Sequence, residues 1–144
     1  MNYDHLSNLE VRELIITFKQ LLTKFCLNIP ITGRYRDEEV VSDSVHGIEY
    51  VLHVYRGRVS HKYSIHLRFS KNNVHLIRLC INGSNHYNLD GSSVGSNHVH
   101  LYRFVNEAHM IELHAYPLTD FPFSGDQSLG QAVEAFIHYV NLHY

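Results

Sequence analysis

A chain of 144 residues with 44% hydrophobic side chains holds enough apolar material for one packed domain and too much for disorder. Its formal charge of −2 excludes a polycation that grips nucleic acid with its whole surface, so any such affinity must come from a local patch. Two cysteines, no signal peptide before the first helix and no apolar run near the roughly 18 residues of a membrane span predict a single cytoplasmic domain over 1–144, with free thiols and no membrane association.

Ser7 and Glu10 form an S-x-x-E capping box. Val11, Leu14, Ile15, Phe18, Leu21, Leu22 and Phe25 then recur at three- and four-residue intervals, which predicts an amphipathic helix ending before Asn28 to Pro30. The period next drops to two. Candidate strands cover Arg34–Val41, Tyr50–Arg56, Tyr63–Ser70, Val74–Asn82, His98–Phe104 and His109–Tyr116, and the Gly, Ser and Asn between them suit antiparallel hairpins. The loop from Gly83 to Asn97 is long for a hairpin, which makes it a functional candidate. Asp126 or Ser128 caps a second helix with the stripe Leu129, Val133, Phe136, Ile137 and Val140. The expected fold is α+β: a mostly antiparallel five- to six-stranded sheet with N- and C-terminal helices packed on one face.

Strand alternation divides these segments into two faces, provided no bulge flips a register. Ile65, Leu67, Leu79, Leu101 and Leu113 belong to the apolar set and are predicted to lie against Leu14, Phe18, Phe136 and Ile137. The other set holds His53, Tyr55, His66, Arg68, Leu76, Arg78, Cys80, His98, His100, Tyr102 and His114. No Asp or Glu occurs between Val51 and Leu89, whereas Arg56, Arg58, Lys62, Arg68, Lys71 and Arg78 do. The local field is therefore predicted to be positive, suited to phosphate oxygens, with aromatic rings available to stack on bases. A plain solvent-facing sheet that uses His and Tyr as polar strand residues is the competing explanation.

The chemistry is densest in INGSNHYNLDGSSVGSNHVHLYR, Ile81 to Arg103. Imidazoles titrate near neutrality, move protons and ligate metals, so His86, His98 and His100, with Tyr102, are the candidate catalytic residues. Asn88 and Asp90 sit beside turn-forming glycine and are expected to fold His86 back toward His98 or His100. Candidate binding residues are His66, Arg68, Arg78, Asn88, Asp90, Arg103 and His114. The H-x-H pair is able to hold zinc or iron, but its spacing to Glu107 does not match cupin metal sites, and no metal or other cofactor is assigned. Cys80 reads as packing, and the absence of a Gly-rich phosphate loop disfavours a nucleotide-driven enzyme.

From Ser64 to Pro117, and above all in RLCINGSNHYNLDG followed by HVHLY, the chain resembles an uncharacterised family of small bacterial and mobile-element proteins. Its members read R-L-D-I-N-G-P-P-H-x-N-P-D-G, then P-H-L-H-I-Y-R-E-G, then a short A-Y-P-L strand. Arg78, Asn82, Gly83, His86, Asn88, Asp90, Gly91, His98, His100, Tyr102, Arg103 and Ala115 to Leu118 correspond. Cys80 stands where an Asp is usual, Ser84 and Asn85 replace the two prolines, and Phe104 and Val105 replace Glu-Gly. Loss of the Asp weakens any mechanism that needs a carboxylate there, and loss of the prolines predicts a looser loop.

The leading expectation is an RNA-directed protein of a mobile-element or host-defence conflict system, in its sharpest form a metal-independent endoribonuclease of toxin type. RNA carries its own 2′-hydroxyl nucleophile, so imidazoles and arginine suffice. The alternative is a non-catalytic binding protein, such as a phage-encoded inhibitor of a defence nuclease or a nucleotide sponge, whose partner is a protein or nucleotide.

Overall fold

The first helix begins where its sequence demands. In the computed structural model, which describes residues 1–22, 28–59, 61–108 and 110–144, Ser7 Oγ accepts from Glu10 N at 3.1 Å while Glu10 Oε1 accepts from Ser7 N at 3.0 Å. Helix α1 (Asn8–Ile16) buries Val11, Leu14 and Ile15 but stops well short of the predicted end. Thr17 turns to extended backbone, and Lys19 Nζ donates to the carbonyls of Leu14, Ile15, Thr17 and Val140, consuming acceptors that another helical turn would need. The continuing stripe was therefore misleading: Phe18 and Leu22 are exposed, and Leu21 belongs to strand β1 (Lys19–Leu21). Phe25 and Cys26 lie outside the described residues.

The strands that follow are β2 (Tyr35–Asp43), β3 (Ile48–Arg56), β4 (Tyr63–Phe69), β5 (His75–Ile81), the two-residue β6 (His86–Tyr87) and β7 (Ser93–Val94), β8 (His98–Asn106) and β9 (Met110–Pro117). Helix α2 (Leu129–Tyr139) and β10 (Leu142–His143) close the chain. Ser128 caps α2 in a second capping box, accepting from Gln131 N at 3.2 Å. The fold is α+β with a large, mostly antiparallel sheet, but that sheet has eight strands rather than five or six, ordered β10-β1-β2-β3-β4-β5-β8-β9. The additions are β1 and β10, paired in parallel with each other and too short to show a period. A separate hairpin, β6-β7, lies within the long loop.

One hydrophobic cluster joins both helices to the sheet: Ile65, Leu67, Leu79, Leu14, Phe136 and Ile137 are buried as expected. Leu101 and Leu113 are only partly buried. Alternation breaks in more than one strand pair, and the β8-β9 register shifts between Phe104 and Asn106. The β4-β5 register shifts between Leu67 and Arg68, and the successive residues Leu76 and Ile77 are both fully buried. Beside them, where Ile77 pairs with Leu101, the successive residues Leu101 and Tyr102 both line a cleft beneath α1. Leu76 and Tyr102 thereby leave the face that strict alternation assigns them. Arg56 is also lost to the predicted basic surface, because it is buried and donates to Gly33 O at 2.7 Å and Pro30 O at 2.5 Å. No helix among the described residues is long and apolar enough to cross a membrane.

Candidate functional site

Strand pairing lays the polar face out in rungs. One runs Glu38, His53, His66, Arg78 and His100 across five strands, and the next runs Arg36, Tyr55, Ser64, Cys80 and His98. Two histidine groups result, on either side of Arg78.

The first is a stack. The rings of His53 and His66 lie 4.7 Å apart and those of His66 and His75 3.9 Å apart, all near parallel. His53 Nδ1 is 3.1 Å from Glu38 Oε1, Arg68 Nη1 donates to His66 Nε2 at 3.0 Å, and Arg68 Nη2 reaches Glu38 Oε2 at 3.3 Å, while His75 Nδ1 is buried without a partner among the described residues. Burial, with the neighbouring imidazoles and guanidinium groups adding, pulls His66 down to about 2 and His75 to about 4. The expectation of an uninterrupted positive face fails here. Glu38 arrives from β2, outside the acid-free stretch, and neutralises Arg68.

The second group has two buried strand histidines and a half-buried loop histidine. His86 folds back from β6 so that its ring lies 4.7 Å from His100 and 6.0 Å from His98, and the latter two rings are 4.6 Å apart. His98 Nδ1 is 2.7 Å from Gly95 O, and His100 Nδ1 is 2.9 Å from Leu113 O. A carbonyl only accepts, so in both rings Nδ1 carries the hydrogen and Nε2 keeps its lone pair. Burial draws His100 down to about 4 and lowers His98 as well, so both are neutral at pH 7. His86 makes no side-chain hydrogen bond among the described residues. Sequence reasoning set Cys80 aside, yet it pairs with His98, and its Sγ lies within 4.8 Å of the ligating nitrogens of both His98 and His100. Its place on the same alternation face as Arg78 was the available signal. Burial raises its thiol pKa, against the opposing effect of Arg78.

Arg78 bridges this cluster to a cleft of about 400 Å³ lined by Tyr55, Arg58, Lys62, Ser64, Arg78 and Cys80 among others. Its Nε is buried without a hydrogen-bond partner, and among the described residues no carboxylate pairs with it. A buried N–H of this kind, on a cation with no counter-ion, is the arrangement an anion satisfies.

The remaining candidates hold the loop. Asn88 is buried; its Oδ1 accepts from Ala115 N at 2.9 Å, and its Nδ2 donates to Ala115 O and Ser92 Oγ, each at 3.0 Å, with His114 Nε2 at 3.3 Å. His114 Nδ1 is 2.5 Å from Glu112 Oε1, and Arg103 Nη1 lies 3.2 Å from the same nitrogen. Glu112, which sequence reasoning passed over, also accepts from Leu89 N at 3.1 Å. Asp90 closes an Asx turn onto Ser92. These contacts pin the segment carrying His86 onto β9. Tyr102 does not join the imidazoles: it is 1% exposed, accepts from Leu6 N at 3.2 Å and donates to Tyr3 O at 2.6 Å on the helix side of the sheet.

Compared with known proteins, the chain matches one family model over residues 6–142, described as a family of unknown function (DUF6978). No curated protein and no solved structure matches it. The chain belongs to the DUF6978 family.

Proposed function

We propose that this DUF6978 member binds RNA across the Arg78 cleft and cleaves it at the His86, His98 and His100 group. Arg78 carries the reading: an uncompensated guanidinium with a buried, unpartnered Nε stands on one rung with His100 and lines the cleft that also holds Arg58, Lys62 and the Tyr55 ring. Cations take phosphate oxygens and an aromatic ring stacks a base, as single-strand recognition requires. His86 accepts the 2′-hydroxyl proton; the 2′-oxygen attacks phosphorus, the bond to the 5′-oxygen breaks, and that oxygen takes a proton from water or from the protonated ring. Two near-neutral imidazoles working as a pair fit less well, because His98 and His100 are held neutral and weakly basic. The resemblance of the paired motifs to mobile-element proteins supports a role in a conflict system.

The cleft volume favours one second reading. About 400 Å³ is the size of a small-ligand pocket, so a nucleotide held without turnover fits the same cations. The discriminating experiment incubates the protein with RNA, with DNA and with single nucleotides, each with and without chelator. RNA fragments ending in a 2′,3′-cyclic phosphate, with DNA intact, support cleavage. Tight nucleotide binding without cleavage replaces it with the binding reading.

A further inference from the structure

We infer that Cys80, His98 and His100 form a zinc site, with the fourth coordination position facing His86. The three side chains come from adjacent strands whose pairing is fixed: Cys80 sits directly opposite His98, and His100 follows on the same face. Their donor atoms all lie within 4.8 Å of one another, and tetrahedral zinc with ordinary bond lengths needs separations of roughly 3.3–3.6 Å, a closure small side-chain rotations supply. The imidazoles are oriented for a metal. Gly95 O and Leu113 O hold the two Nδ1–H groups, which leaves both Nε2 lone pairs available. A carbonyl on the far nitrogen is the usual outer partner of a metal-bound histidine, fixing its tautomer and ring angle.

The donor set selects the ion. One thiolate and two imidazoles suit zinc and exclude magnesium and calcium, which demand oxygen. Cys80 is a free, half-buried cysteine next to the Arg78 guanidinium, with no other assigned role. Three protein ligands with an open fourth position describe catalytic rather than closed structural zinc, and the His86 ring, 4.7 Å from that of His100, borders the opening. Zinc here would supply a Lewis acid beside Arg78, and His98 and His100 would act as ligands rather than as acid and base. The inference concerns the site proposed for RNA but does not rest on RNA being its target, since metal binding is measured without nucleic acid.

Cobalt substitution is the test. Protein stripped with chelator, desalted and titrated with Co²⁺ should bind one ion per chain and develop an intense tetrahedral d–d spectrum with a near-ultraviolet thiolate-to-cobalt band, and stoichiometric Zn²⁺ should erase both. Cys80→Ser should abolish the thiolate band and weaken Zn²⁺ by more than the roughly 10–100-fold typical of losing an outer partner. His100→Ala should remove tetrahedral binding, and His138→Ala, on α2, should change nothing. Circular dichroism on each variant checks that the fold is kept; should His100→Ala unfold, the Cys80→Ser spectrum decides alone. Absence of stoichiometric binding, or binding with no thiolate band and no response to Cys80→Ser, overturns the inference. RNA cleavage on the same samples is scored separately: zinc bound without cleavage removes the RNA reading alone, and cleavage by metal-free protein that binds no zinc removes the zinc site alone.

Discussion

The two histidine groups share one sheet face and one residue type, yet they differ in what they leave unsatisfied. At His53, His66 and His75 the rings stack on each other, Arg68 donates to His66, and Glu38 compensates the guanidinium. At His86, His98 and His100 the Nε2 atoms of the β8 pair are uncommitted, Cys80 stands beside them, and Arg78 has no acid among the described residues. Abundance of histidine therefore marks both groups, and the first also leaves a nitrogen unfilled at His75 Nδ1, but only the second sets its free donors beside a thiol. Burial in the first group is structural; in the second it holds donors ready for a ligand.

The contrast breaks most visibly by exchanging the lesion between groups. His86→Ala should lower RNA turnover by about 10²–10⁴-fold with little change in thermal stability, because the ring makes no hydrogen bond among the described residues. His66→Ala should do the reverse, lowering the melting temperature while turnover stays within a few-fold. Equal loss of activity in both variants would dissolve the distinction.

Tyr102→Phe sharpens it from the helix side. Losing the hydroxyl strands Leu6 N and Tyr3 O and should cost about 1–3 kcal/mol of unfolding free energy, read from denaturant melts, with turnover unchanged. Asn88→Ala should cost a similar amount and lower activity less than His86→Ala, since it loosens the loop and leaves the ring present.

Stability against pH gives an intermediate effect. His66, His75 and His100 have folded pKa values far below the ordinary 6.5, so unfolded chains bind more protons at mildly acid pH. The denaturation midpoint should hold above about pH 6.5 and fall steadily toward pH 4. A flat profile over that window would contradict the assigned burial. The smallest effect is expected at Arg68. Its ion pair with Glu38 is worth about 0–1 kcal/mol, and Arg68→Gln should leave the salt dependence of RNA binding almost intact. Arg78→Gln should weaken binding and reduce the salt slope by about one.

Local rules made much of this legible. The Ser7–Glu10 box, the Ser128 cap and the six long strands follow from spacing alone, as does the return of His86 toward His98 and His100. Long-range physics took the rest. The apolar stripe through Phe18 and Leu21 ran on past Ile16, but Lys19 claimed the helix-end carbonyls. Tyr102 lies on the core side although strict alternation from His98 and His100 assigns it to the polar face, and alternation has no means of announcing such a break. Glu38 reached the histidine face because β2 pairs with β3, which no count of acids within Val51 to Leu89 anticipates. Cys80 was visible on the correct face, but its meaning required the distance to two imidazoles.

The most direct measurement titrates an RNA whose 2′-hydroxyls are methylated, and so cannot be cleaved, into the protein while recording its imidazole nitrogen and proton resonances. The signals of His86, His98 and His100 should move together and saturate, and those of His53, His66 and His75 should stay in place. Shifts centred on His53, His66 and His75, or no shift at any imidazole at saturating RNA, would contradict the assignment of the His86, His98 and His100 group as the functional one.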